Sequence, residues 1–576
     1  MRCILFLASV VTGLIDSTSA SILTKVGTLK DSTTSISRRE ALAYKPYTID
    51  QPIDHFPNDP VYAPHTNATF KQRYFFDATY YKPGGPVYLY IGGETSAENR
   101  FSNLQTGIIQ ILMEATNGLG IILENRYYGE SWPFNTSTTD QLVYLTNQQT
   151  VADNAYFAQH VSLPGVNASI NAPDTKWILY GGSLAGGQTA LSVKIYPDIL
   201  FGGIASSAPV KTVVGYPEWY NPIQKLAPQD CVASINGIID KFDALVAANN
   251  THAIRKFKSF FGLEDLTDDR DFAMTIAFPI GGPMNYPTNT WQELNWSPLY
   301  TSNDFWNFCS NVTNVDAAKT ITDIDYALSN YTGGEPWTNL GNYATYIKNF
   351  LIPLCDGAPI DSTSCFGTQN ETYYADVTNG GGRSYLYTSC LELGAYQVAP
   401  ETGPSLISRV LQADYTQQWC NWAFPPGEYN SIPPVVNLTL VGQYGGYNFS
   451  ADRLAFIDGD NDVWLDLCYH SPEAPSPRIS TDLHPVYLIS GAGHHWDSYG
   501  ILDVAAEPLF IQQAHLWEIR TVKKWLKAGC AEISGMVATQ ETRYLDIVLK
   551  LFTIDLCICN YLRNRRKSPS ASKSIP

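Results

Sequence analysis

The chain has 576 residues, 44% of them hydrophobic and 16% charged, a globular composition that excludes intrinsic disorder. That length exceeds one core of ordinary size, so a large fold with an insertion, or two domains, is expected. The formal net charge of −17 argues against a nucleic-acid partner, because phosphate binding needs clustered cations.

In chain order, Arg2 precedes an apolar run from Cys3 to Ile15, and Thr18-Ser19-Ala20 offers small residues for cleavage. Residues 1–20 therefore read as a secretory signal. Residues 21–50 are polar, rich in Ser and Thr and without periodicity, and read as a leader. Residues 51–215 form the first part of an expected α/β core. Buried strands are predicted at Pro86–Ile91, Gly120–Leu123, Trp177–Tyr180 and Gly203–Ser206, each a short apolar run. Helices are predicted between them at Ile108–Ala115, Thr150–Val161 and Gln188–Tyr196. Strands alternating with helices imply a mainly parallel sheet covered on both faces.

The alternation stops over residues 216–430. This stretch is rich in Trp, Tyr, Asn and Gly, with helical pieces at Ile235–Ala248 and Tyr343–Ile352, and reads as a mainly helical inserted cap. The core resumes over 431–530, with strands at Arg453–Ile457 and Pro485–Ile489 and a helix from Ile511 to Lys527. The tail, 531–576, differs from the body. Its apolar run Leu545–Leu562 carries Asp546, Lys550 and Asp555, which disfavours a membrane span; Arg563–Lys567 is basic.

Asn-x-Ser/Thr acceptors occur at Asn67, Asn135, Asn167, Asn249, Asn295, Asn311, Asn330, Asn370, Asn437 and Asn448. With the signal, they predict a secreted glycoprotein. An acidic compartment of lysosomal or vacuolar type is the alternative location, since an acidic surface loses self-repulsion as carboxylates protonate. Cys231, Cys309, Cys355, Cys365, Cys390, Cys420, Cys468 and Cys530 would pair as up to four disulfides of undecidable connectivity. None has zinc-ligand spacing, and neither metal nor cofactor is expected.

The chemistry centres on Gly181-Gly182-Ser183-Leu184-Ala185, between a predicted strand and a predicted helix. A tight strand-to-helix turn flanked by small residues is the setting of a nucleophile elbow. The N–H of Leu184, at the start of the helix, is placed to stabilise an oxyanion. Gly93, in Gly92-Gly93-Glu94 after the first predicted strand, is the expected second donor. A serine nucleophile needs a base and an orienting acid, on this fold in the order Ser, Asp or Glu, His. Two strand-end loops supply candidates: Asp458, Asp460 and Asp462 in the first, and His494 and His495 in the second. Spacing alone does not choose among the three acids.

Taken together these segments resemble the post-proline serine peptidases, the family of lysosomal Pro-X carboxypeptidase, dipeptidyl peptidase II and acid prolyl endopeptidases. The family's E-H-R-Y-Y-G-E-S appears as Glu124-Asn-Arg-Tyr-Tyr-Gly-Glu-Ser131, and its G-G-S-Y-G-G as Gly181-Gly-Ser-Leu-Ala-Gly186. Ser206-Ser-Ala-Pro209 matches the next strand end. N-G-x-x-D-P-W corresponds to Asp458-Gly-Asp-Asn-Asp-Val-Trp464, and G-A-H-H-x-D to Ala492-Gly-His-His-Trp-Asp497. The resemblance implies Ser183, Asp462 and His494 as the triad, a helical cap over the site, peptide substrates and cleavage after proline. Leu184, Val463, Asn125 and Asp458 depart from the family pattern, which leaves hydrolysis expected and proline preference less firmly implied. Trp464 is a candidate pocket wall, and Glu94 a candidate grip for a substrate amine. The choice among dipeptidyl-, carboxy- and endopeptidase modes, and the oligomeric state, are not legible. A carboxylesterase-like hydrolase of the same fold is the alternative, although Gly92-Gly93-Glu94 stands where its usual HGGG loop would be. The serine carboxypeptidases with G-E-S-Y-A-G place Glu where Gly182 stands here. A non-catalytic binding glycoprotein would be marked by loss of a triad member, and none is lost.

Overall fold

A computed structural model describes residues 43–282, 290–298 and 300–539, with side chains to residue 527. Ten strands form: β1 (Tyr47–Pro52), β2 (Thr69–Asp77), β3 (Val87–Ile91), β4 (Leu119–Leu123), β5 (Trp177–Gly182), β6 (Gly202–Ser206), β7 (Val213–Gly215), β8 (Gly394–Tyr396), β9 (Leu454–Gly459) and β10 (Val486–Ile489). Eight make one sheet in the order β1-β2-β4-β3-β5-β6-β9-β10. β1 pairs antiparallel with β2, and β2 with β4; every other pairing in this sheet is parallel. This is the α/β-hydrolase arrangement.

The sequence dictates it through burial. β3 to β6 are buried along their whole length, as expected where helices cover both faces. The core helices are α1 (Ile108–Thr116), α2 (Asn147–His160) and α3 (Leu184–Ile195), joined after the cap by a C-terminal helix. Alternate residues of β3 face opposite ways. Tyr88 and Tyr90 pack with Ile109, Leu112 and Met113 of α1 and with Val522 and Trp525 of the C-terminal helix. Val87, Leu89 and Ile91 pack with Phe157 and Ala158 of α2 and with Ala185 of α3. The α1 helix stops at Asn117, a left-handed residue with φ 55°, and α2 starts at Thr146, whose side chain accepts from the Gln149 N–H; both are usual helix ends.

Between β6 and β9 the chain builds the cap. Its main helices are α4 (Gln229–Ala247), α5 (Thr251–Phe261), α6 (Asp269–Ala277), α7 (Asp304–Val312), α8 (Leu340–Phe350), α9 (Gly381–Thr388) and α10 (Ala413–Ala423). A π-helical turn, Ser389–Leu393, follows α9. Phe242, Phe257, Phe261 and Phe272 are fully buried at the centre, and each burial contributes roughly 1.5–3 kcal/mol. The short parallel pair β7–β8 joins the two ends of the cap. The three disulfides among the described residues lie here, Cys231–Cys309, Cys355–Cys365 and Cys390–Cys420, whereas Cys468 is a buried free thiol. The C-terminal helix, α11 (Leu509–Thr539), closes the core.

Two expectations are corrected. The leader was read to residue 50, but β1 begins at Tyr47. It is an edge strand of alternating exposure, and its polar outward residues hide the period of two. The helix predicted to end at Lys527 continues to Thr539, into the segment read as a tail. The signal, Cys3, Cys557, Cys559 and the run Leu545–Leu562 lie outside the described residues. Among those described, no helix is long and apolar enough to cross a membrane.

Candidate active site

Each motif residue emerges at the carboxyl end of a parallel strand. Ser183 follows β5 at φ 60° and ψ −131°, a conformation costly for a residue with a Cβ. Its N–H donates to Ser206 O at 3.0 Å, and its carbonyl accepts from Gly187 N–H at 3.1 Å. The turn needs its glycines: a Cβ on Gly181 would lie 2.1 Å from Ala185 O, and one on Gly186 2.6 Å from Ser206 O. Leu184 is the first residue of α3, so its N–H has no intrahelical acceptor.

Asp462 follows β9, and both carboxylate oxygens meet His494 Nδ1, at 2.8 and 2.9 Å. The Trp464 N–H donates to the same carboxylate at 2.9 Å. An ionised carboxylate accepts only, so Nδ1 carries the proton and Nε2 presents its lone pair. Nε2 is buried and has no hydrogen-bond partner among the described residues. The other two acids are engaged elsewhere. Asp458 accepts from His470 Nδ1 at 2.6 Å. Asp460 accepts from the Gly491 N–H at 2.6 Å and from Ser490 Oγ at 3.0 Å.

The histidine loop is held from below and above. Ser206 Oγ donates to Asp497 at 2.6 Å, the Tyr180 hydroxyl donates to the same carboxylate, and the His495 N–H donates to Ser207 Oγ at 2.9 Å. From the cap, Trp296 Nε1 donates to Trp496 O, and Trp496 Nε1 to Leu294 O, both at 2.9 Å. The His495 ring presses on the elbow, since a Cβ on Gly182 would lie 3.0 Å from its Cγ. Burial holds the His495 imidazole well below its usual pKa, with His494 and Arg100 adding to the effect. His495 is therefore a neutral packing partner.

Trp464 and Glu94 line the cavity that contains Ser183 and Leu184. Trp464 stacks on Tyr216, with ring centres 5.6 Å apart, and lies 6.4 Å from the His494 ring. Glu94 Oε2 is buried without a hydrogen-bond partner among the described residues. Gly93 departs from expectation. Its φ is +74°, but its N–H donates to Asn125 Oδ1 at 3.3 Å, so it is not the free oxyanion donor expected.

Asn125, noted above only as a departure, begins a buried polar chain that the sequence did not reveal. Asn125 Nδ2 donates to Gln188 at 2.8 Å, Gln188 Nε2 to Asn147 at 3.2 Å, and the Asn147 N–H to Glu392 of the cap at 2.8 Å. Burial pushes the Glu392 carboxyl up to about 7. The rest of the Glu124–Ser131 motif is structural. The Glu124 carboxylate accepts from Arg73, from Ser131 Oγ, and from the N–H groups of Ala97 and Glu130. Gly129 must be glycine, because a Cβ there would lie 1.9 Å from Glu124 Oε2. Arg126 is buried in a two-pronged pair with Asp153, both contacts at 2.6 Å.

Every acceptor asparagine for glycosylation is exposed except Asn295. Asn295 is half-buried, accepts from the Ser297 N–H at 2.8 Å, and precedes a fully buried Ser297. Among the described residues no cluster of His, Cys, Asp or Glu has the makings of a metal site.

A strained serine at an elbow, a buried aspartate–histidine pair and a mainly parallel eight-stranded sheet define a serine hydrolase of the α/β-hydrolase fold. More narrowly, residues 51–515 match the model of the serine carboxypeptidase S28 family, and the chain belongs to that family. It is a serine-type peptidase. A probable extracellular serine carboxypeptidase of Arthroderma benhamiae is 36% identical over 504 residues, covering 84% of this chain and 68% of that one. The serine protease vicPa of Bipolaris victoriae is 28% identical over 456 residues, covering 76% and 82%. The thymus-specific serine protease of Mus musculus is 25% identical over 469 residues, covering 78% and 81%.

Proposed function

We propose that Ser183, Asp462 and His494 hydrolyse peptide bonds through an acyl-enzyme, and that cleavage falls after proline. The observation that carries the triad is the Asp462 carboxylate clasping His494 Nδ1 while Nε2 stays buried and unpartnered. In the reaction His494 Nε2 takes the Ser183 hydroxyl proton as Oγ attacks the scissile carbonyl. The Leu184 N–H and the α3 dipole stabilise the resulting oxyanion. His494 then gives its proton to the departing amine, and water releases the acyl group by the same steps. Trp464, backed by Tyr216, supplies a flat apolar wall suited to a ring that lacks an N–H. Glu94 is the proposed grip for a substrate amine.

Export and glycosylation belong to the same reading. They are supported by the N-terminal segment, by the exposed acceptor asparagines, and by the disulfides, which persist in oxidising compartments. The test is hydrolysis of matched peptides with Pro or Ala before the scissile bond, for wild type and Ser183→Ala, with fluorophosphonate labelling. We expect labelling at Ser183 alone, no hydrolysis by the variant and faster cleavage after proline. Equal rates on the two peptides would remove the proline preference, and an active Ser183→Ala would remove the mechanism.

A further inference from the structure

The two loops that carry the triad acid and base are tied to one short piece of the cap, residues 290–297. Trp291 Nε1 donates to Asn461 O at 3.0 Å, and Asn461 immediately precedes Asp462. Gln292 Oε1 accepts from Trp464 Nε1 at 3.3 Å, two residues beyond that acid. Leu294 O accepts from Trp496 Nε1, and Trp296 Nε1 donates to Trp496 O, both at 2.9 Å. Trp496 stands two residues beyond His494. Four indole N–H groups thus join this segment to the acid loop and to the histidine loop.

The tie is anchored at both ends. On the cap side the buried Trp291 indole packs edge-on against Phe305 and Trp306 of α7, with ring centres 5.3 and 5.8 Å apart. On the core side the two loops meet each other directly. The Asn461 N–H donates to Ala492 O at 2.9 Å, and a Cβ on Gly459 would lie 2.4 Å from the same oxygen. The Trp496 indole closes over Gly493, where a Cβ would lie 2.9 Å from Nε1. Gly493 precedes His494, so the indole that the cap holds also bears on the backbone that aims the base. An indole has a single donor, and leaving it buried and unpaired is costly, so each bond fixes a ring as well as a distance.

We infer that residues 290–297 are a clamp that sets how Asp462 and His494 stand toward Ser183, with Trp291 and Trp296 as positioning residues acting through the loop backbones. A base works only within hydrogen-bond reach of the proton it takes, and a misplacement of about 1 Å can cost on the order of 100-fold in rate. Gln292 also lines the cavity that contains Ser183, so a peptide filling that cavity meets the clamp itself. Substrate thereby bears on the base as well as on the nucleophile. This role rests on the reading of Ser183, Asp462 and His494 as the triad.

The test compares Trp291→Phe, Trp296→Phe and Gln292→Met with wild type and with Asp140→Asn. Asp140 accepts from the N–H groups of Glu428, Tyr429 and Asn430, a tie between core and cap that touches neither triad loop. Hydrolysis of a proline-containing peptide gives kcat and KM. The rate of fluorophosphonate labelling at Ser183 reports activation of the nucleophile by its base with no peptide present. Each tryptophan variant should lose about tenfold in kcat and a similar factor in labelling rate, with KM within about twofold of wild type. The downfield proton signal of the His494 Nδ1–H should shift or broaden in both. Gln292→Met should lose about threefold in labelling rate, and Asp140→Asn should lose nothing. Thermal unfolding verifies that the variants fold, and Gln292→Met, which keeps both indoles, carries the test if a tryptophan variant does not. Full labelling rates in whichever of the three clamp variants fold, or an equal loss in Asp140→Asn, overturns the clamp. A wild type that takes no label at Ser183 overturns the triad, and the clamp with it.

Discussion

Asp458, near the end of β9, and Asp462, in the loop that follows, sit four residues apart, and each holds a histidine by Nδ1, at 2.6 Å for His470 and 2.8 Å for His494. Both carboxylates are buried. Yet Asp458 also accepts from the His470 N–H at 3.2 Å, so that pair closes a local loop within one segment. Asp462 reaches across to a different loop, and the ring it orients adjoins His495, which packs on the nucleophile elbow. The same two side chains thus make a staple in one place and a base in the other. What separates them is where each pair reaches, within one segment for Asp458 and across to the loop beside the elbow for Asp462.

That comparison can be broken by substitution. Ser183→Ala and His494→Gln should each reduce kcat by on the order of 10⁶, whereas His495→Gln should remain an active peptidase. An inactive His495→Gln beside an active His494→Gln would exchange their roles. Asp462→Asn should cost about 10⁴ in kcat, because the amide no longer holds the required tautomer. Asp458→Asn should leave turnover per folded molecule nearly unchanged. A loss at Asp458 as large as at Asp462 would abolish the distinction.

Asp458→Asn should act on stability instead, lowering it by about 1.5–3 kcal/mol, the usual worth of a hydrogen bond to a charged group. Thermal unfolding would read this. A stability effect of similar size concerns Glu392, a buried acid that accepts from the Asn147 N–H at 2.8 Å. Its folded pKa, about 7, lies above its unfolded value, so the folded state binds the extra proton. Stability is then fully present below the unfolded pKa and is lost as pH rises from about 4.5 through about 7. Glu392→Gln should flatten that decline, worth on the order of 3 kcal/mol by pH 7.5. Parallel melting curves of wild type and variant from pH 4.5 to about pH 7.5 would contradict it.

Much of this was legible in sequence because buried parallel strands are continuous apolar runs bounded by glycine, as at β3 and β5. β2 was missed because Gln72 is fully buried, with its amide donating to Glu124 O, which interrupts the expected alternation. Spacing could not rank Asp458, Asp460 and Asp462, since the choice depends on which carboxylate faces a residue some thirty positions away. Gly93 was misjudged because an N–H is available only if no side chain takes it, and Asn125 lies remote in sequence.

The adjacency of β6 and β9 has a last consequence. Residues 207–453 leave the sheet at the carboxyl end of β6 and return at the amino end of its parallel neighbour β9, where Leu454 lies opposite Gly203 rather than Ser206, so departure and return are about one strand spacing apart across the sheet and roughly 10 Å apart along it. To the core, the whole excursion is one crossover between neighbouring parallel strands, and the entropy of closing it grows only with the logarithm of its length. The insert can therefore lengthen, shorten or be exchanged while the sheet beneath keeps its register. The three disulfides among the described residues lie wholly inside that excursion, so none of them ties its shape to the sheet.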